Sequence, residues 1–335
     1  MFIQQRLEKV KERKRGIFLL IFFLLVVVTS CLEVRDVLAI DVTAKRQHQW
    51  LEIGGDMGYQ ETNGWYESQK DFYISILAFR GGYRFYLKDF LFIDPYLKLE
   101  FLRDLGNKEN NKFFWNNSFK YGYGARLRLE YKRRVDYAKE FSLRLTYANL
   151  DYYMEYLGIN FMNRGNEVPP TVPKKDFKSG FNSWISILNN KRTGKLMGGI
   201  WFEMWSDLTY HKTNFFQKGK EHFLILTLCP KIGLRVAYKG IALETYFRID
   251  IVRDVLNEDW NREAWSNNIK YGPGIRLSLG GLTKRPDNPT VYLYGEFLSI
   301  DYLERTTWKS IGLSKDDFRA GINLWLPLGA SKGIY

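Results

Sequence analysis

Cysteine and histidine are nearly missing from this chain. Its 335 residues include two cysteines, Cys31 and Cys229, and three histidines, His48, His211 and His222. Two cysteines build no disulfide framework, and no Cys/His cluster has the spacing of a metal site. The histidines are too few and too scattered for acid–base or hydrolytic chemistry, so neither an enzyme nor a cofactor is expected. Proline is scarce as well, with nine residues, which suits long strands. Beyond the amino terminus no convincing amphipathic helix can be read. Gly122-x-Gly124 and Gly272-x-Gly274 open no helix, which excludes a phosphate loop.

What is present is apolar, aromatic and basic. The hydrophobic fraction is 45%, the aromatic fraction 17% and the net charge +13. The first figure excludes a disordered chain. The charge points to anionic partners: nucleic acid, anionic lipid or anionic polysaccharide. The amino terminus chooses among them by compartment. Arg6, Lys9, Lys11, Arg13, Lys14 and Arg15 precede an unbroken apolar run at residues 17–28. That run is too short for a spanning helix and right for a signal peptide. Val37-Leu38-Ala39 offers the cleavage site, so residues 1–39 are expected to be removed and nucleic acid drops out as a partner. Val28-Thr29-Ser30-Cys31 also matches a lipobox, whose use would leave Cys31 lipidated. Ala39 is the favoured site.

The body repeats itself. Arg103-Asp104, Trp115, Asn117, Lys120-Tyr121-Gly122 and Asp151-Tyr152 recur 150 residues later as Arg253-Asp254, Trp265, Asn267, Lys270-Tyr271-Gly272 and Asp301-Tyr302. Glu52 and Asp56 match Glu203 and Asp207 at an offset of 151. Asp176-Phe177, Gly180, Asn182 and Trp184 match Asp317-Phe318, Gly321, Asn323 and Trp325 at 141. The shorter offset is ascribed to extra residues at 163–172. Two copies follow, at about 48–190 and 197–329.

Within each copy apolar and polar residues alternate. Phe119–Tyr131, F-K-Y-G-Y-G-A-R-L-R-L-E-Y, carries apolar side chains at every odd position, as a strand with one greasy face would. Alternation and turn residues predict six strands per copy: 49–60, 71–87, 90–104, 113–132, 139–154 and 176–188, then 198–210, 221–238, 241–254, 264–280, 290–303 and 317–328. Strands 71–87 and 221–238 are the exception, apolar on both faces. Long polar connections (61–70, 105–112, 155–175, 211–220, 255–263, 304–316) alternate with short turns. This is the pattern of an outer-membrane barrel. A spanning sheet has to close, because unpaired edge amides in hydrocarbon cost several kcal/mol each. The expected fold is therefore an all-β transmembrane antiparallel barrel of about twelve strands, a single domain over 40–335, made of two duplicated six-stranded halves. A lipidated soluble β-sandwich is the alternative architecture.

In a barrel the polar face lines the lumen. It presents Glu52, Asp56, Lys98, Glu100, Lys120, Arg126, Arg128, Glu130 and Arg144 in the first copy. The second copy presents Glu203, Asp207, Arg248, Asp250, Lys270, Arg276, Glu296 and Arg319. Such a wall either pairs its charges into a structural plug or forms a conduit favouring anionic solutes.

The run Tyr238-Lys239, Tyr246-Phe247-Arg248, Trp265-Ser266-Asn267, Tyr271-Gly272-Pro273-Gly274-Ile275-Arg276-Leu277 and Tyr292-Leu293-Tyr294-Gly295-Glu296 resembles the carboxy-terminal barrel region of bacteriophage adsorption protein A. Asp176-Phe177 and Trp184 are similar to an element of the same family. The resemblance implies an outer-membrane barrel associated with exopolysaccharide secretion and with phage attachment at exposed loops. It covers most of residues 115–303. The long periplasmic helical-repeat region that precedes the barrel in that family has no counterpart in this sequence. The expected function is a channel or secretion component for anionic or polymeric solutes such as exopolysaccharide. The alternative is an adhesion or phage-attachment barrel working through its loops. Outer-membrane lipid and the barrel-assembly machinery are the implied partners, and the oligomeric state is left open.

Overall fold

A computed structural model describes residues 49–61, 72–106, 117–132, 144–162, 174–189, 191–193, 196–212, 222–238, 241–256, 266–279, 290–303 and 313–329, all within one unit, Arg46–Tyr335. Residues 1–39, with the expected signal segment and Cys31, lie outside the described residues, as does His48. All the regular structure described is strand. In chain order the strands are β1 (Gln49–Gln60), β2 (Phe72–Tyr83), β3 (Phe85–Lys88), β4 (Leu91–Asp104), β5 (Ser118–Lys132), β6 (Arg144–Phe161) and β7 (Lys175–Leu188). The second half follows with β8 (Lys191–Thr193), β9 (Leu196–His211), β10 (Phe223–Tyr238), β11 (Ile241–Asp254), β12 (Asn267–Leu279), β13 (Thr290–Tyr302) and β14 (Asp316–Gly329).

Every pairing is antiparallel, and neighbours in sequence are neighbours in space. β1 pairs β2 on one side and β14 on the other, while β10 pairs both β9 and β11, so the sheet returns on itself and closes. Twelve strands form the barrel. The short β3 and β8 extend hairpins beside β4 and β9. Closure removes both sheet edges, which is what the hydrocarbon of a bilayer demands.

The alternation read from sequence resolves into two faces. Along β4, Phe92, Asp94, Tyr96 and Lys98 are buried while Ile93, Leu97 and Leu99 are exposed on the outside, Leu97 at 69%. Along β11, Ala242, Glu244 and Tyr246 are buried, and Ile241, Leu243 and Phe247 are exposed. Charge inside and hydrocarbon outside inverts the arrangement of a water-soluble sandwich. Strands of this length, tilted, reach about 30 Å, enough to cross a membrane. Aromatic pairs ring the loop end of the outer face: Tyr59 against Tyr73 at 5.2 Å, Phe101 against Phe119 at 4.5 Å, Tyr156 against Phe177 at 5.8 Å and Phe297 against Phe318 at 5.7 Å. Such rings sit where hydrocarbon meets headgroups.

Two strands depart from expectation. The strand expected at 71–87 divides at Arg84 into β2 and β3, and the fifth strand, expected at 139–154, runs in β6 to Phe161. Residues 155–161 are therefore wall, and the connection expected at 155–175 is shorter.

Candidate functional site

The lumen is built from the inward residues of all twelve barrel strands. On β5 these are Lys120, Arg126, Arg128 and Glu130, on the face opposite Tyr121, Tyr123 and Leu127. Asp94 of β4 lies directly across the ladder from Arg126. Arg126 Nε donates to Asp94 at 2.8 Å, and its Nη2 donates to Glu52 of β1 at 2.8 Å. Its guanidinium lies 4.4 Å from the centre of the Trp50 ring. Arg84 binds the same Asp94 with two hydrogen bonds of 2.9 Å and lies 3.6 Å from the centre of the Phe92 ring. A buried carboxylate held by two arginines, each resting on an aromatic face, satisfies charges that would otherwise be costly away from water.

The other half holds the same arrangement. Arg276 lies opposite Glu244 and bonds to it, and its Nη2 meets Glu203 at 2.9 Å. Trp201 lies under this guanidinium at 4.6 Å. Arg235 takes the place of Arg84, 3.6 Å from Glu244.

A second tier lies nearer the loop end. Glu155 accepts from Tyr96 at 2.9 Å and from Lys98 at 3.0 Å, and Glu100 bridges Lys98 at 3.3 Å and Lys120 at 3.0 Å. Glu296 accepts from Tyr246 at 2.8 Å and from Arg248 at 2.5 Å, and Arg248 also holds Asp250 at 2.6 Å. Lys270 and Arg319 share Asp317, at 3.9 and 2.7 Å. A third set lies at the turn end: Arg128 grips Asp151 with two bonds, at 2.6 and 2.5 Å, and Glu130 takes Lys132 at 3.0 Å and the Tyr147 hydroxyl at 2.9 Å.

Glycines make room for these side chains. Gly124 lies opposite Tyr96 and Gly274 opposite Tyr246. A Cβ on Gly124 would come within 2.8 Å of the Tyr96 ring, and one on Gly274 within 2.5 Å of the Tyr246 ring. The G-x-G element thus lets each tyrosine lie across the neighbouring strand and reach its glutamate.

Of the expected lumen residues, Lys98, Glu100, Lys120, Arg126, Arg128, Glu130, Arg248, Asp250, Lys270, Arg276, Glu296 and Arg319 are all on the inner face. The Arg144 side chain lies outside the described residues. The contacts also bring in Arg84, Asp94, Asp151, Glu155, Arg235, Glu244 and Asp317, which the sequence reading did not place on the lumen wall. With them, the basic residues of the wall are answered by carboxylates, and among the described residues no marked excess of positive charge is left in the lumen. The matching of Asp151-Tyr152 to Asp301-Tyr302 needs correcting. Asp151 is buried in the lumen, whereas Asp301 is exposed on the outer face. By contact, Glu155 corresponds to Glu296, an offset of 141. The change from 150 to 141 therefore precedes β6 and does not lie at 163–172. A shift of nine is odd, and an odd shift swaps the two faces of a strand.

Inside the network remains a cavity of about 450 Å³. Its wall includes Trp50, Trp184, Trp205, Trp325 and Tyr292 together with Arg128, Lys178, Asn182, Asp207 and Asn323, and it reaches Lys132, Pro327 and Leu328 at the turn end. The indole nitrogens of Trp50 and Trp184 are buried there without a hydrogen-bond partner among the described residues. The loop end differs. Phe72, Leu157, Phe223 and Leu298 point inward and are at most 1% exposed, and the isoleucine two positions on from each (Ile74, Ile159, Ile225, Ile300) is also buried. His211 lies near this level, its Nδ1 3.5 Å from Asp176. His222 adopts a positive φ of 78° at the rim and meets the Tyr210 hydroxyl.

A closed twelve-stranded barrel with an apolar exterior and an ion-paired, partly hollow interior is a transmembrane β-barrel. No protein-family model matches the sequence, and no curated protein matches it. Among solved structures, the chain is similar to an outer membrane channel from Pseudomonas putida F1, at 10% identity over 86% of this chain and 100% of that one, with a TM-score of 0.41. It is also similar to the β domain of the Bordetella autotransporter BrkA (11% identity, 84% of this chain, 99% of that one, TM-score 0.37) and to the translocator domain of autotransporter NalP from Neisseria meningitidis (10%, 84%, 89%, 0.35).

Proposed function

We propose that this chain is a non-enzymatic outer-membrane protein of a Gram-negative-type bacterium. On this reading it is exported by its amino-terminal signal segment, inserted by the barrel-assembly machinery and built from two copies of one ancestral unit. Its role is a passage, or part of one, for a polar solute of saccharide type such as exopolysaccharide. The observation that carries this reading is the cavity of about 450 Å³ inside the barrel, where four tryptophans stand among amides and paired charges. Barrels of eight strands are filled by side chains, while those of sixteen or more leave an aqueous channel. Twelve strands with a residual cavity fall between. Aromatic faces stack on the C–H faces of sugar rings, and flanking amides and ion pairs exchange hydrogen bonds with hydroxyls. Since the charges pair, selection for anions is weak on this account, and shape and stacking govern.

Planar-bilayer recording tests the reading. Discrete openings that a soluble oligosaccharide such as maltohexaose blocks, and that Trp184→Ala blocks less, are expected. No opening at any voltage, together with no sugar binding by calorimetry, contradicts it.

The apolar loop end of the lumen favours a second reading, a surface-attachment barrel with no transport role. Under that reading, deleting residues 163–173 abolishes adhesion or phage binding and leaves the barrel intact on a heat-shift gel.

A further inference from the structure

The four apolar stations at the loop end are placed with a regularity that side-chain packing alone does not require. Phe72 is on β2, Leu157 on β6, Phe223 on β10 and Leu298 on β13. In the closed order of barrel strands these are every third strand, so the stations divide the wall into quarters. At each, the buried residue is followed two positions on by a buried isoleucine on the same face. Between the stations the inner face stays polar: Asp176 and Asp317 lie across the ladder from Leu157 and Leu298, His211 from Phe223, and Lys120 and Lys270 from Ile159 and Ile300.

The sequence carries a mark of the same feature. Strands 71–87 and 221–238 read as apolar on both faces because the lumen face itself turns apolar where Phe72 and Phe223 lie. Gly122 and Gly272 lie opposite Leu157 and Leu298, and a Cβ on either would run into the backbone carbonyl of Tyr156 or Phe297. That tight approach fixes the strand bearing each leucine against its neighbour.

We propose that these stations are the gate of the lumen: four inward apolar side chains, at most 1% exposed, that fill the barrel at its loop end between polar neighbours, above the cavity of about 450 Å³. Apolar side chains packed into a lumen shed water and so block ions, and the path conducts once they are made small or polar. This rests on the passage reading above. It adds that the charged tiers, which a mixed-sign wall would suggest as the barrier, hold the wall in shape, whereas the apolar stations set whether it conducts.

The test uses the full chain, refolded and checked by heat-shifted gel mobility, in planar bilayers with potassium chloride. Wild type is expected to open rarely. Leu157→Ser and Leu298→Ser should each raise the open time about tenfold, the double variant more, and Leu157→Met should match wild type. If a serine variant fails to fold, Phe72→Thr and Phe223→Thr supply the same polarity at the other two stations. Serine or threonine variants that fold and record as wild type does overturn the gate, whether wild type is silent or steadily open. A gate-opened variant that passes potassium but excludes maltohexaose from liposomes leaves the gate standing and sinks the saccharide passage.

Discussion

Tyr294 donates its hydroxyl to Asp56 at 3.0 Å, joining β13 to β1 over the intervening β14, at the seam where the first and last strands of the barrel meet. Asn323 of β14 donates to the other oxygen of Asp56 at 3.1 Å. Half a turn around the wall, Tyr153 of β6 reaches Asp207 of β9 at 3.2 Å, over β7. Each half thus fastens itself to the other with a tyrosine on one side of the junction and an aspartate on the other.

A hydrogen bond from a neutral donor to a charged acceptor contributes about 1.5–3 kcal/mol. Tyr294→Phe should therefore lower barrel stability by about that amount in urea titrations followed by gel shift. Tyr153→Phe should cost a similar amount. Because the two junctions share no partner, the double variant should lose close to the sum.

Arg126 and Arg276 should behave as a matched pair. Removing one member of a buried ion pair strands the other and costs about 3–5 kcal/mol. Arg126→Ala leaves Glu52 unanswered and Asp94 with Arg84 alone, so a large fall in stability is expected. Arg126→Met combined with Glu52→Gln should recover much of the loss, since the charge and its orphaned partner leave together. Equal losses from Arg126→Ala and from the combined variant would show that the stranded Glu52 charge is not what costs the stability.

The glycines give a steric prediction. Gly274→Val should impair assembly, because its side chain enters the space of the Tyr246 ring. Tyr246→Ala on that background should restore assembly in part, since the obstructing ring is gone. Gly122→Val, which meets the backbone carbonyl of Tyr156, should not be rescued by any side-chain change. Folded yield in detergent reads out all three.

Export is tested at the amino terminus. Mass spectrometry of protein from the membrane should find Ile40 as the first residue and no diacylglycerol on Cys31.

Much of the barrel was legible because the lumen is charged where hydrocarbon lies outside. Phe119–Tyr131 states its two faces residue by residue, and β4 and β11 do the same. Legibility failed where both faces are apolar. The stretch Tyr156–Phe161 alternates Leu157 and Ile159 inward with Tyr156 and Gly158 outward, so period 2 shows no contrast and the sequence does not mark the true end of β6. The ion pairs were beyond reach for another reason: Arg126 and Glu52 lie 74 residues apart, and their meeting follows from barrel closure. The inward arginines could be listed from their parity, but the partner of each depends on strand register.

The central claim is that adjacent residues of one strand face lipid and lumen in turn. Single cysteines at positions 119–131, in a chain with Cys31→Ser and Cys229→Ser, can be spin-labelled and reconstituted in bilayers. Collision with oxygen, which concentrates in hydrocarbon, should be high at odd positions and low at even ones, repeating every two residues. A flat profile, or one with Lys120, Arg126 and Arg128 as the oxygen-exposed positions, would contradict the account.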